Sequence, residues 1–146
     1  MDAVAGPADP GVMHAQRPEE THALIAAAFN AGDLDALVET YEEGATLVVP
    51  PGGERVSGRD EIRSALAATF ALEPTAAMEV VATLEGDGLA LTYGRWHLAG
   101  TDADGNRVEL SGRGTIVSRR QPDGRWLIAL DNPIADRDFG RVAPPG

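Results

Sequence analysis

The chain has no cysteine and no lysine, and positive charge is scarce, with 12 basic residues against 23 acidic ones and a formal net charge of −11. The missing cysteines exclude disulfides, thiolate nucleophiles and sulfur-ligated metals, and they leave the redox compartment open. All 12 basic residues are arginine, so neither a Schiff-base lysine nor a P-loop lysine is available. The acidic balance repels a nucleic-acid backbone and an anionic membrane surface, which sets both aside as partners. No apolar run approaches the ~20 residues that span a bilayer. The first residues carry Asp2 where a secretory leader has Lys or Arg, and the expected setting is cytoplasmic. His14, His22 and His97 are scattered, with no H-x-H or H-x-x-x-H pair, so neither a metal nor another cofactor is expected.

What is present reads as one domain with two tails. Residues 1–17 contain Pro7 and Pro10 and no sustained apolar period, the pattern of a disordered arm. Residues 135–146 end in RVAPPG and read as a second tail, which leaves 18–134 as the domain. Pro18, Glu19 and Glu20 suit the start of a helix that runs to about Asn30 and stops at Gly32, with Leu24, Ile25, Ala28 and Phe29 as its apolar stripe. Asp33 caps a second helix whose Leu34, Leu37, Val38 and Tyr41 fall at i, i+3, i+4 and i+7, closing at Gly44. A short strand from Ala45 to Val49 stops at Pro50-Pro51-Gly52-Gly53, a turn and a candidate pocket rim. The third helix begins near Gly58, with Ser57 and Asp60 at capping-box spacing, and its stripe is Ile62, Leu66, Thr69 and Phe70.

Beyond Pro74 the period changes to two. Thr75–Glu85, Leu89–Gly100, Arg107–Arg120 and Arg125–Asn132 are β-rich runs separated by Gly- and Asp-containing turns, which predicts an antiparallel four-stranded meander. Helices followed by a long antiparallel sheet make an α+β fold in which the helices cover one sheet face.

Phe29-Asn30-Ala31-Gly32-Asp33-Leu34-Asp35-Ala36-Leu37 and Val56-Ser57-Gly58-Arg59-Asp60-Glu61-Ile62-Arg63 resemble the NTF2-like superfamily, in its SnoaL-like and DUF4440 (YybH-type) branches. Gly94-Arg95-Trp96-His97-Leu98, Gly112-Arg113-Gly114-Thr115, Asp123-Gly124-Arg125-Trp126 and Asp131-Asn132-Pro133 extend the resemblance over about residues 18–134. It implies an NTF2-like (cystatin-like) cone, three N-terminal helices packed on a curved antiparallel sheet around an apolar pocket, commonly in a homodimer. The fold hosts isomerases, epoxide hydrolases, polyketide cyclases and non-catalytic binders, so it does not decide among them. The stretch from Ile25 to Gly58 also resembles ketosteroid isomerase. That resemblance implies a tyrosine donor where this chain has Ile25, and a base aspartate where it has Val49. A third acid falls at Thr115 or Ile116, according to the register of the Arg107–Arg120 strand. None of these side chains transfers a proton, and steroid isomerisation is not expected.

Carrying the family's cavity face across predicts that Tyr93, Arg95 and His97 point inward on one strand, with Ala90, Thr92, Gly94, Trp96 and Leu98 outward. Arg113, Thr115 and Val117 are expected inward on the next strand, and Leu127, Ala129 and Asp131 on the last. Asp131, His97 and Arg95 are then the catalytic candidates, and Tyr93, Arg113, Tyr41, Val49 and Ile25 the substrate-binding ones. Asp131 held ionised between arginines orients His97 or activates water, acid–base chemistry suited to a small hydrophobic molecule. The arrangement partly resembles that of limonene-epoxide-hydrolase-type relatives. Each candidate also has a structural reading: an Arg–Asp pair that specifies the fold, a hydrogen-bonded strand histidine, a core tyrosine. Trp96 and Trp126 are expected on the face away from the pocket, in a core layer or a dimer contact. Two functions remain: cofactor-independent isomerase, cyclase or epoxide-hydrolase chemistry, or a non-catalytic binding or dimerisation domain.

Overall fold

The computed structural model describes residues 14–137. Three helices, α1 (Glu20–Ala31), α2 (Leu34–Glu39) and α3 (Arg59–Phe70), pack on a six-stranded sheet. Its strands are β1 (Tyr41–Val49), β2 (Glu54–Ser57), β3 (Thr75–Glu85), β4 (Leu89–Thr101), β5 (Arg107–Arg120) and β6 (Trp126–Asn132), in the order β2-β1-β6-β5-β4-β3. The α+β cone and the β3 to β6 meander match the sequence reading. The sheet is mixed, however, because β1 and β6 run parallel, and β2 is an additional edge strand.

Local chemistry explains most boundaries. Gly32 sits at φ 66° and donates its N–H to the carbonyls of Ala28 and Phe29, a left-handed helix end that suits glycine. Asp33 accepts from the Ala36 N–H at 3.0 Å and caps α2 as its sequence position predicts. That helix does not reach Gly44. Thr40 turns both its N–H and its hydroxyl onto the Leu37 carbonyl, and its own carbonyl accepts from Ile128 N–H at 2.8 Å. Pairing with β6 therefore overrides the helical spacing, and Tyr41, a good strand former, opens β1. The expected Ser57–Asp60 box is replaced by Ser57 N–H donating to the Glu61 carboxylate at 2.9 Å.

The core lies between the helices and the inner sheet face, with Leu37, Ile62 and Ile128 fully buried. Phe29 of α1 stacks on Phe70 of α3 with ring centroids 4.8 Å apart. Asn30 ties α1 to the sheet through both amide atoms: Nδ2 donates to the Ala76 carbonyl at 3.0 Å and Oδ1 accepts from its N–H at 2.7 Å. Two bulges break the strand alternation. Val81 is the extra residue of β3 opposite β4, and Ala129 is the extra residue of β6 opposite β5.

Part of the expected arm is docked: the Ala15 carbonyl accepts from Trp126 N–H at 2.9 Å, and Ala15 and Trp126 form a second small core with Ala90. The rest of that arm, residues 1–13, and residues 138–146 of the expected tail lie outside the described residues. After β6, Ile134 is buried and Ala135 N–H donates to the Arg113 carbonyl, so the chain folds back over the sheet.

Asn30→Ala leaves both polar backbone groups of Ala76 without their partner, and chemical denaturation should read a loss of about 2 kcal/mol. Unchanged stability would show that the α1–β3 clasp carries no net free energy.

Candidate functional site

The helices and the inner sheet face enclose an apolar cavity of about 70 Å³. Ile25 and Phe29 of α1, Leu66 of α3, and Leu47, Trp96 and Ile116 of the sheet supply its apolar walls. Pro50 of the Pro-Pro-Gly-Gly turn reaches the rim as expected, and Pro133 stands at the wall formed by the chain beyond β6. That approach requires glycine below it, since a Cβ on Gly114 would come within 2.8 Å of Pro133 Cα. The Trp96 indole N–H donates to the Pro133 carbonyl at 2.7 Å and holds the segment in place.

Tyr41, Asp131 and His22 are the buried polar side chains of this lining; Thr69 also borders the cavity, as does Arg95, whose exposed guanidinium turns away to Glu79. The Ala129 bulge resets the alternation of β6, so Ile128 and Asp131 both turn inward, Ile128 opposite Ser118 and Asp131 opposite Ile116. Tyr41 Oη donates to Asp131 Oδ2 at 2.6 Å, with both side chains buried. Burial raises the Asp131 carboxyl to about 6, against the opposing pull of the Tyr41 hydrogen bond. The Tyr41 hydroxyl is pushed well above its ordinary range, first by burial and then by the adjacent Asp131 charge. A carboxyl with this proton affinity, in an apolar pocket and oriented by a fixed hydroxyl, is equipped to give or take a proton near neutral pH.

His22 projects from α1 onto β4, where Nε2 lies 2.7 Å from Thr92 Oγ1. Desolvation lowers its imidazole to about 4, so the ring is neutral over the physiological range. Sequence reading placed His22 apart from other candidates, because nothing in helical spacing reveals that this residue of α1 meets Thr92 across 70 positions of chain.

The strand faces are the main correction. Thr92, Gly94 and Leu98 are buried on the inner face of β4 and Trp96 lines the cavity, whereas Arg95 and His97 are exposed on the outer face and Tyr93 is half-buried on that side. Arg95 pairs with Glu79 at 3.1 Å and His97 with Glu109 at 2.9 Å. On β5 the inward residues are Gly114, Ile116 and Ser118, so Arg113 is also exposed and the expected Thr115 and Val117 face is inverted. Alternation fixes which residues share a face but not which face meets the core, and solvation of the charged heads decides it here. The expected grouping of Leu127, Ala129 and Asp131 fails at the bulge, while Asp131 itself is inward as predicted. Its buried partner is Tyr41 instead of an arginine. Trp96 lines the cavity and Trp126 joins the small core under Ala15, so neither stands on the outer face. Ile25 lines the cavity, Val49 packs against the core beside Pro50, and Ile116 is the inward member of the Thr115–Ile116 pair. Among the described residues, no group of three or more His, Asp or Glu is placed to hold a metal ion, and no helix is long and apolar enough to cross a membrane.

Residues 22–128 match the family model of the SnoaL-like domain. Comparison with curated proteins yields no match. Among solved structures, a ketosteroid isomerase-like protein from Erwinia carotovora atroseptica is similar at TM-score 0.68 and 21% identity, over 78% of this chain and 89% of that one. An NTF2-like superfamily protein from Salmonella enterica is similar at TM-score 0.68 and 16% identity, over 85% of this chain and 93% of that one. An NTF-2 like protein from Shewanella oneidensis is similar at TM-score 0.64 and 22% identity, over 78% of this chain and 93% of that one.

Asp131 and His22 act on stability in opposite directions. Asp131 holds its proton to about 6 when folded, so its contribution falls as pH rises from about 4 to 6. His22 resists protonation down to about 4, so its contribution is lost as pH falls from about 6.5 to 4. Each effect is roughly 3 kcal/mol and they offset each other. Urea denaturation across this range should show Asp131→Asn gaining stability with rising pH and His22→Gln losing it, each relative to the parent. Surface carboxylates cancel in these differences, and parallel profiles for all three proteins would refute the assignment.

Proposed function

Because the chain belongs to the SnoaL-like domain family, we propose that it takes a small hydrophobic molecule into the cone and performs cofactor-independent proton transfer on it, in the manner of an isomerase, cyclase or epoxide hydrolase. The observation that carries this reading is the Tyr41–Asp131 pair, a buried carboxyl with a proton affinity near neutrality in an otherwise apolar cavity. A structural ion pair needs its charge neutralised, and Asp131 has a neutral hydroxyl as its partner instead of an arginine. Burying this carboxyl costs stability that an asparagine would recover, a pattern expected where a site is kept for use. Asp131 is the proton-transfer residue, Tyr41 orients it, and Ile25 contributes an apolar wall. Val49 lies beside the rim at Pro50. His97, Arg95, Arg113 and Tyr93 belong to the outer face and are not assigned to the reaction.

The reaction differs from ketosteroid isomerisation by the resemblance drawn from sequence. The positions that correspond to the tyrosine donor and the base aspartate hold Ile25 and Val49, and Asp131 enters from a different strand. A second reading, ligand binding without turnover, is favoured by one observation: about 70 Å³ is small beside the roughly 300–1,000 Å³ of ordinary ligand pockets.

We also propose a homodimer through the outer sheet face. Leu84, Leu91, Val117 and Leu130 are consecutive register partners across β3, β4, β5 and β6. Leu84, Leu91 and Leu130 are 72%, 40% and 52% exposed. A two-fold axis lays one such row against its copy and removes apolar surface from water.

Thermal-shift screening against steroids, terpene epoxides and aromatic polyketides should find a stabilising class, followed by turnover assays on that class. Asp131→Asn should lower turnover at least a hundredfold while the fold is retained; undiminished turnover would eliminate the proton-transfer role, and binding without turnover in the parent would establish the second reading. Leu91→Glu with Leu130→Glu should give a monomer by sedimentation velocity. A parent that already sediments as a monomer would rule out the sheet-face dimer.

A further inference from the structure

Arginine is a poor residue to open a helix, because a cation there opposes the positive end of the helix dipole. Arg59 is nevertheless the first residue of α3, ahead of Asp60 and Glu61. Its half-buried side chain turns back onto β1, where Nε and Nη2 donate to the Tyr41 carbonyl at 2.9 and 2.6 Å. A guanidinium fork commonly closes on a carboxylate. Here both arms take one main-chain oxygen, and that oxygen belongs to the residue whose hydroxyl holds Asp131.

The sheet explains why this oxygen is available. The Thr40 carbonyl accepts from Ile128 N–H on the β6 side, and successive carbonyls along an extended strand point to opposite edges, so the Tyr41 carbonyl faces the other edge of β1. β2 covers that edge only from Thr46 to Val49. Before Thr46 the start of α3 takes its place: Gly58 N–H donates to the Ala45 carbonyl at 2.8 Å, and Arg59 reaches Tyr41. On the β6 side, β1 advances from Tyr41 to Thr46 while β6 advances only from Ile128 to Leu130. Ladder pairing is thus interrupted on one side of Tyr41 and absent on the other, and the Arg59 fork fixes its main chain on the open edge.

We propose that Arg59 is a positioning residue of the site: by holding the Tyr41 carbonyl it aims the Tyr41 hydroxyl at Asp131, and it acts on the carboxyl only through that hydroxyl. The proposal rests on the reading of Asp131 as the proton-transfer group and names the residue that keeps its partner in place. The titratable side chains that line the cavity with Asp131 are Tyr41 on β1 and His22 on α1. Arg95 of β4 has its guanidinium outside on Glu79, α3 contributes Leu66 and Thr69, and β5 contributes Leu110, Gly114 and Ile116. The Tyr41 hydrogen bond pulls the Asp131 carboxyl down against burial, so slackening that bond lets the carboxyl keep its proton to higher pH.

Titration of the Asp131 carboxyl by NMR in the full chain tests the assignment. Arg59→Met keeps an unbranched stem but removes the donors, and the Asp131 midpoint should rise by about one pH unit, the same direction as in Tyr41→Phe. Arg59→Lys retains a single ammonium donor and should fall between Arg59→Met and the parent. In the Tyr41→Phe background Arg59→Met should add no further rise, because the hydroxyl through which Arg59 acts is gone. Amide spectra of each variant establish that it folds; should Arg59→Met not fold, Arg59→Lys with and without Tyr41→Phe supplies the same cycle. An unmoved midpoint in the Arg59 variant overturns the proposal. So does an equal rise in both backgrounds, the mark of a guanidinium acting as a distant charge. The cycle reads the carboxyl without substrate, so its failure leaves the proton-transfer reading standing. Undiminished turnover in Asp131→Asn removes that reading and leaves the hold of Arg59 on Tyr41 to be decided by the cycle.

Discussion

The hydrogen bond between Tyr41 and Asp131 joins the two strands on which the cone closes. Tyr41 begins β1 directly after α2, and Asp131 lies near the end of β6, so one 2.6 Å contact spans 90 residues of chain. Along the β1–β6 seam the register is irregular between Tyr41 and Thr46, and backbone pairing alone is therefore sparse there. The side-chain bond holds the seam from within and also defines the polar end of the cavity. Its geometry depends on the Ala129 bulge, because without the extra residue Asp131 would alternate to the outer face and meet water.

A buried carboxyl with a single neutral partner is an uncommon way to stabilise a protein. An apolar residue of similar size would fill the position at lower cost, and the pairing is better understood as a constraint that the fold tolerates. The surrounding structure compensates through ordinary means: the Phe29–Phe70 stack, the two-point clasp of Asn30 on Ala76, and the apolar residues of α2 and α3 pressed on the sheet. These contacts lie on the helical side of the cone, whereas the Tyr41–Asp131 pair lies on the sheet.

The division explains what could be read from the residues alone. Asp33 and Gly32 mark a helix boundary through local hydrogen bonds, and the turns of the meander fix all four of its strands to within a residue, so these elements are legible over a few positions. The end of α2 was not, because the Thr40–Ile128 bond belongs to a strand that arrives much later in the chain. Nor was the sign of the sheet faces. Arg95 and His97 alternate with Trp96 and Leu98 equally well in either orientation, and solvation of the charged heads once α1 covers the other face decides between them. Asp131 was assigned inward correctly, but a strict period of two gave it the wrong companions at Ala129. His22 carried one weak signal, a histidine one turn before the Ile25 position on a helix expected to face the cavity. The small residues of β4 that accept it, Thr92 and Gly94, become meaningful only once the inner face is known.

The two tryptophans, assigned by sequence to a common outer surface, instead sit at opposite ends of the interior. The Trp96 indole is on the cavity wall with its N–H committed to Pro133, and Trp126 lies beneath Ala15 in the smaller core. The chain consequently carries two intrinsic fluorophores with separate environments, one sensing the pocket and the segment that closes it, the other sensing whether the stretch before α1 is seated. Replacing either one with phenylalanine isolates the emission of its counterpart, so events at the mouth and at the base of the cone become optically distinguishable without any added label.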